Sequence, residues 1–293
     1  KQKGVPYVLE KGYIPADKVH EATSIAMEYA VDDWGIAAMA HKMGKVEDAV
    51  TYAKRAHYYK NYFDPSIHFI RPKLEDGSWR TPYDPARSIH TVGDFCEGNG
   101  WQYTFFAPQD PYGLIELFGG DKPFTAKLDD FFTNTDSMGE GASSDITGLI
   151  GQYAHGNEPS HHMAYLYNWT DAPWKGAERL DFIMRNFYTN QPDGIIGNED
   201  CGQMSAWYVL SALGFYQVCP GIPVYAIGRP MVDKATIPVA GGNFEIIVKN
   251  NSPENKYVKE AKLNGKVLDT LFFPHADLVK GGTLEIEMTA VHP

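Results

Sequence analysis

Between Val19 and Tyr62 two helical patterns are separated by little more than one glycine, and that hairpin limits the folds the chain can adopt. In the first, Val19, Ala22, Ile25, Ala26, Tyr29, Ala30, Ala37 and Ala40 recur at helical spacing up to Met43. In the second, Val46 to Tyr62, the residues Ala49, Val50, Ala53, Ala56 and His57 form one stripe. Gly44 ends the first helix, and helices joined so tightly run antiparallel against each other. Asp17 is the expected N-cap of the first helix. Helical patterns return at 100–107, 111–119 and 123–133, then as a pair at 160–168 and 173–188. A last helix runs from Met204 to Leu213 and is closed by Gly214. Gly-, Pro- and Asn-rich loops lie at 64–93 and 134–160, and loops of that length usually carry function. Paired helices alternating with such loops predict a helical barrel whose mouth is built from the loops. Residues 5–15, broken by Gly and Pro, read as a strand or loop.

After Pro220 the period shortens. Residues 224–227, 235–239, 244–248, 258–263 and 284–288 read as short strands, with Asn264-Gly265 and Gly281-Gly282 as turns. The expected organisation is mainly α, with a helical barrel portion over residues 1–220 and a small β region of sandwich type over 221–293. Acidic residues outnumber basic ones 37 to 26. No Lys/Arg cluster is dense enough to hold a phosphate backbone, so nucleic acid is not an expected partner. No apolar run is long enough to cross a bilayer as a helix. The first residues, Lys1 to Pro6, lack Met and the apolar core of a signal peptide, as expected of a processed or excised chain. Cys96, Cys201 and Cys219 have neither the number for a disulfide framework nor zinc spacing. They read as small buried thiols.

Four loops gather the reactive residue types. Asp94 to Tyr103 puts Glu97 beside Asn99, Trp101 and Gln102. His155 to His162 holds Asn157, Glu158 and His161. Asn198-Glu199-Asp200 is followed by Gln203, and Asp136 to Gly141 is a weaker fourth group. Two carboxylates from separate loops suit glycosidic bond hydrolysis, in which one protonates the departing oxygen and the other activates water. Glu97 lies near Phe95, Cys96 and Trp101, apolar company that favours a protonated acid. Asp200 lies among Asn198, Glu199 and Gln203, polar company that keeps a base ionised. Loops rich in amides and carboxylates also suit a hard cation such as calcium. His161 and His162 are adjacent and point to different faces, so they do not make a ready zinc pair. A hydrogen bond to a sugar hydroxyl, or a structural role, fits them better. Most of the 18 Tyr and 6 Trp read as core packing, but those that fall beside these carboxylates have ring faces that suit the apolar faces of sugars.

The runs GYIPADKVHEATSIAMEYAVDDWGIAAMA (12–40), GDFCEGNGWQYTFFAPQD (93–110), HGNEPSHHMAYLYNW (155–169) and GNEDCGQMSAWYVLSALGFYQVCPG (197–221) resemble glycoside hydrolase family 92. The tail VKEAKLNGKVLDTLFFPHADLVKGGTLEIEM (258–288) resembles that family's C-terminal β segment. The resemblance implies a calcium-dependent, inverting, exo-acting α-mannosidase built from an N-terminal β-sandwich and an (α/α)6 barrel, and longer than this chain. It implies that the chain is the C-terminal part, roughly half of the barrel plus the returning strands. Its partners would then be the N-terminal β-sandwich and the remaining barrel helices of the full-length protein. The implied substrate is terminal α-linked mannose, α-1,2 foremost, on oligosaccharides or glycoproteins. The implied location is periplasmic, cell-surface or secreted in a bacterium.

The resemblance places the general acid at Glu97 and the general base at Asp200. Asn198 stands where many members carry a second Asp, so hydrogen bonding to a water persists there but shared basicity does not. Trp101, Asn157, Glu158, His161 and Asn198 are the expected sugar contacts. Asn99, Gln102 and Glu199 are the expected calcium ligands. An inverting pair of carboxyls is expected about 6.5–9.5 Å apart. Two other readings stay open: a non-catalytic carbohydrate-binding fragment of such an enzyme, and a helical-barrel glycosidase acting on another sugar.

Overall fold

Helix α1 (Val5–Lys11) lies where the sequence predicts a strand or loop. Pro6 sits in its first turn, where a missing N–H is harmless, and Gly4 and Gly12 take left-handed conformations at its ends (φ 79° and 73°). The structure, a computed structural model, describes residues 3–292. Helices α2 (Ala22–Lys42) and α3 (Val46–Arg55) form the predicted hairpin, with Gly44 at φ 70° between them. Ala26, Ala30, Ala37 and Ala40 are buried on α2, and Arg55 Nε meets Asp33 Oδ2 at 2.9 Å. The chain then tightens into a 3-10 turn, Tyr58–Tyr62. Asp17 does not cap α2: its Oδ1 accepts from Glu75 N–H, and Glu21 enters the helix from a left-handed conformation instead (φ 57°).

Two short ladders pair β1 (Phe63–Asp64) with β2 (Phe69–Ile70) and β3 (Leu149–Ile150) with β4 (Tyr153–Ala154). Helices α4 (Gly100–Thr104), α5 (Pro111–Leu117) and α6 (Asp121–Phe131) complete a compact unit, Lys1–Ser160. Its core is aromatic. The Phe105 ring lies 6.1 Å from Phe118, 5.8 Å from Phe124 and 4.9 Å from Phe131, all buried.

The second unit is His161–Pro293. Residues Met163–Trp169 wind as a 3-10 helix where an α-helix is predicted, and α7 (Pro173–Asn186) and α8 (Gln203–Leu213) follow. The strands are β5 (Phe215–Tyr216), β6 (Val224–Ile227), β7 (Lys234–Val239), β8 (Gly242–Lys249), β9 (Tyr257–Leu263), β10 (Lys266–Val267), β11 (Phe272–Pro274) and β12 (Gly282–Thr289), with α9 (His275–Leu278) before the last. They form a three-stranded sheet, β11-β6-β5, and a five-stranded one, β10-β9-β12-β8-β7. In the larger sheet β12 runs parallel to β8 and antiparallel to β9. Period-two alternation turns Phe244, Ile246, Val248, Leu284, Ile286 and Met288 into a core shared with Phe215, Ile227 and Phe273. The two larger sheets follow helices α1 to α8 along the chain, as the sequence predicts, while the short ladders β1–β2 and β3–β4 lie among the helices. The compact units, however, divide at Ser160 and not near residue 220, so α7 and α8 belong with the strands, and α7 packs on β9.

Candidate active site

The Glu97 loop hangs on the N-terminus of α2. Glu21 N–H donates to Gly93 O (2.7 Å) and Thr23 N–H to Asp94 O (3.2 Å). Cys96 N–H donates to Ser24 Oγ (2.8 Å), which itself donates to Glu21 O (2.9 Å). Tyr103 Oη donates to Cys96 O (3.0 Å), and Asn157 Nδ2 donates to Glu97 O (2.8 Å). Between these pins Glu97 sits in the left-handed region at φ 47°. For a residue with a Cβ that conformation costs roughly 1–2 kcal/mol, and the hydrogen bonds on both sides offset it. Strain of this kind collects at functional sites. Glu97 is half-buried, with Asn157 buried and Glu158 half-buried in the neighbouring loop.

Asn99 and Gln102 do not serve as calcium ligands here. Asn99 Oδ1 accepts from Trp101 N–H (3.0 Å) and Gln102 N–H (3.2 Å), while Gln102 Oε1 accepts from Asn99 N–H (3.0 Å). This reciprocal pair is a capping box at the start of α4. Asn99 Nδ2 donates to Ala86 O (3.1 Å) and Gln152 Oε1 (2.9 Å), and Gln102 Nε2 donates to Gln152 O (2.8 Å). Both amides are buried, and their oxygens face backbone N–H groups where a hard cation needs them free. Trp101 is likewise a core residue and not a sugar platform. It is 6% exposed, edge-on to Phe69 at 4.7 Å and stacked with Phe131 at 6.5 Å, and Lys127 Nζ lies 4.4 Å from its ring centre. Burial brings the Lys127 ammonium down to about 8.

Glu28 is a residue of this loop's surroundings that the sequence reading missed. Burial, then the charges of Asp32 and Glu97, push its carboxyl up to about 7, against an opposing hydrogen bond from Tyr103. The available signal was its spacing, four residues after Ser24 and four before Asp32 on one helix face.

In the second unit Asp200, Cys201 and Gly202 run consecutively left-handed into α8 (φ 46°, 58° and 92°). Gln203 N–H donates to Asp200 O (3.2 Å), and Met204 N–H donates to Glu199 O (3.3 Å). Glu199 is the third expected calcium ligand, and it too has other work. Its Oε1 accepts from Ser205 N–H (3.1 Å) and its Oε2 from Ser205 Oγ (2.9 Å), a carboxylate seated at a helix start. Among the described residues, no three His, Cys, Asp or Glu side chains converge as a metal site. Asp200 and Asn198 are exposed. His161 is buried, with Gln203 Nε2 donating to its Nδ1 (3.1 Å) and to Tyr216 Oη (3.2 Å), and Trp207 Nε1 donating to its carbonyl (2.9 Å). An Nδ1 that accepts leaves the ring proton on Nε2. Tyr216 has no counterpart in the sequence reading. Cys219 is buried and Cys96 half-buried, but Cys201 is exposed, contrary to expectation, because it belongs to the left-handed turn. Burial, then Glu21 and Glu97, push the Cys96 thiol up to about 12, and burial alone does the same for Cys219.

The model of the glycosyl hydrolase family 92 catalytic domain matches residues 1–290. The chain belongs to that family. A family GH92 alpha-mannosidase from Bacteroides thetaiotaomicron, solved in complex with mannoimidazole, is 40% identical, with a TM-score of 0.93 over 98% of this chain and 39% of that one. A family GH92 inverting mannosidase from Bacteroides thetaiotaomicron VPI-5482 is 38% identical, with a TM-score of 0.86 over 99% of this chain and 40% of that one. An uncharacterized secreted glycosidase of Arthroderma benhamiae is 27% identical over 94% of this chain and 38% of its own length. The chain thus spans about two fifths of the length of these relatives. The family GH92 structures share its order of helices followed by a β region.

Proposed function

We propose that this chain carries the acid and the base of an inverting exo-α-mannosidase that removes terminal α-linked mannose, α-1,2 foremost, from oligosaccharides and glycoproteins. The observation that carries the reading is the pinned, left-handed Glu97 loop in a family whose solved members include an alpha-mannosidase and an inverting mannosidase. In this reading Glu97 gives its proton to the glycosidic oxygen as the bond to the anomeric carbon breaks. Asp200 takes a proton from the water whose oxygen bonds to that carbon from the opposite face. The aglycone leaves as an alcohol, mannose leaves with inverted configuration, and exchange with solvent restores both carboxyls. Asn157 holds the Glu97 backbone, while Glu158, His161 and Asn198 are the proposed sugar contacts.

The family resemblance implies calcium, but Asn99, Gln102 and Glu199 do not fit it, and no step above passes through the ion. The shorter span supports the expected partners, an N-terminal β-sandwich and further barrel helices, as parts of the working enzyme. Bacterial structures at 38–40% identity and a secreted fungal relative support a bacterial protein acting in the periplasm, at the cell surface or outside the cell. Among the described residues no helix is long and apolar enough to cross a membrane.

On the full polypeptide, α-1,2-mannobiose should release mannose faster than the α-1,3 and α-1,6 isomers, and α-linked glucose disaccharides should release nothing. Glu97→Gln should lower kcat/KM on mannobiose at least about 100-fold with an unchanged circular dichroism spectrum. Sugar binding without mannose release would favour the binding-fragment reading, and glucose release would favour a different glycosidase.

A further inference from the structure

One face of α8 is laid along the segment that carries His161. Gln203, Trp207 and Ser211 stand four residues apart, so they share that face. Trp207 Nε1 donates to His161 O (2.9 Å) and Tyr165 Oη donates to Ser211 Oγ (2.8 Å), and all four of these residues are buried. Those two bonds hold the segment at and after His161, and Gln203 is left to hold the ring. Its Nε2 lies 3.1 Å from His161 Nδ1 and 3.2 Å from Tyr216 Oη. A primary amide nitrogen carries two N–H donors and no acceptor, so each neighbour receives one. Tyr216 is itself held, its ring stacked on Tyr165 at 5.3 Å. Burial keeps its phenol above the ordinary value, against the hydrogen bond from Gln203, so it stays neutral. The main chain of Gln203 meanwhile donates to Asp200 O (3.2 Å). One residue thus ties the turn of the proposed base to the ring of a proposed sugar contact. Turning its amide over would present Oε1 to both neighbours. His161 would then carry its proton on Nδ1 and offer an acceptor at Nε2 in place of a donor, so the amide's orientation and the ring's polarity are one fact.

We propose that Gln203 is a positioning residue that holds His161 as the Nε2–H tautomer, so that the ring offers a hydrogen-bond donor to a mannose hydroxyl. This rests on the reading of His161 as a sugar contact. A hydroxyl can donate or accept, and which it does toward one partner decides what it has left for the next. A hydroxyl that accepts from His161 keeps its own proton for a carboxylate, and the candidate loops are rich in carboxylates. The opposite tautomer would draw that proton to the ring.

Solid-state NMR of the full polypeptide, labelled with nitrogen-15 in histidine, separates protonated from unprotonated ring nitrogens without needing turnover. The His161 pair is assigned by its loss in His161→Gln. The unsubstituted protein should show Nε2 protonated and Nδ1 unprotonated. Gln203→Glu keeps the size of the side chain but sets only acceptors against the ring, so Nδ1 should become protonated. Gln203→Met removes both donors and should leave the two tautomers mixed. On mannobiose, kcat/KM should fall about 10-fold in Gln203→Met, the worth of one hydrogen bond, and further in Gln203→Glu. A purely structural role would lower the melting temperature in both variants and leave the tautomer in place. A proton on Nδ1 in the unsubstituted protein, or an unprotonated Nδ1 in a Gln203→Glu protein with native melting temperature, overturns the proposal. So does a Gln203→Met protein whose tautomers mix while kcat/KM stays whole. If His161→Gln itself releases mannose at the normal rate, the sugar-contact reading fails, and this role for Gln203 fails with it.

Discussion

Asn99 is tied by both ends of its amide, and that explains why an oxygen-rich motif is not a metal site. Its Oδ1 holds two backbone N–H groups of α4, and its Nδ2 holds Ala86 O and Gln152 Oε1. The sequence reading recognised the right atoms and gave them the wrong partner. An Asn followed three residues later by Gln is also a helix-start signature, and the local backbone claims those oxygens first. Asn99→Ala would remove the cap, worth about 1 kcal/mol, and leave buried groups unpaired, each worth about 1–3 kcal/mol. The expected loss is about 3 kcal/mol in urea unfolding. Asn99→Asp keeps the cap but sets a carboxylate against Ala86 O and Gln152 Oε1. It should also destabilise, and added calcium should not restore its melting temperature. A calcium-dependent rise in that variant would contradict the assignment of Asn99 as a cap alone.

At the level of elements, the second unit is stapled by a charge that the sequence reading passed over. Arg229, after β6, is 1% exposed. Its Nε meets Asp181 Oδ1 of α7 at 2.8 Å, its Nη1 donates to Asn251 Oδ1 (2.8 Å), and its Nη2 donates to Ser252 O (2.9 Å). One guanidinium thus joins a helix to the turn after β8. Removing one member of a buried pair costs about 3–5 kcal/mol, because the other is left uncompensated. Arg229→Ala should lose that much in denaturant unfolding. Arg229→Met with Asp181→Leu should recover most of it, since Arg185, the remaining partner of Asp181, reaches solvent. The hairpin of α2 and α3 and the alternation in β8 and β12 were legible because period and stop signals are local. Helix α1 was not, because a Pro in a short segment reads as a breaker unless it falls in the first turn. The pins of the Glu97 loop were illegible for a different reason. Ser24, Gln152 and Asn157 lie far from Glu97 in sequence, and no spacing rule connects them to it.

For the whole molecule, the two proposed reactive carboxyls lie in different compact units, Glu97 half-buried in the first and Asp200 exposed in the second. The family resemblance placed both in the sequence, and their apolar and polar neighbours agreed with it, because such company acts over a few residues. Their proposed roles can be told apart by chemistry that separates an acid from a base. A general acid matters only as much as the leaving group needs a proton, whereas a base acts on water whatever group departs. Single displacement also sets the product: the α-mannoside should yield β-mannose first, visible by proton NMR before mutarotation. On the full polypeptide, the deficit of Glu97→Gln should shrink as the leaving group changes from a sugar to an activated phenol. The deficit of Asp200→Asn, about 100-fold to 10,000-fold for a lost general base, should stay nearly constant across the same series. α-Mannose as the first product would replace inversion with double displacement and recast Asp200 as a nucleophile. An Asp200→Asn deficit that vanished on the activated phenol would exchange the two roles.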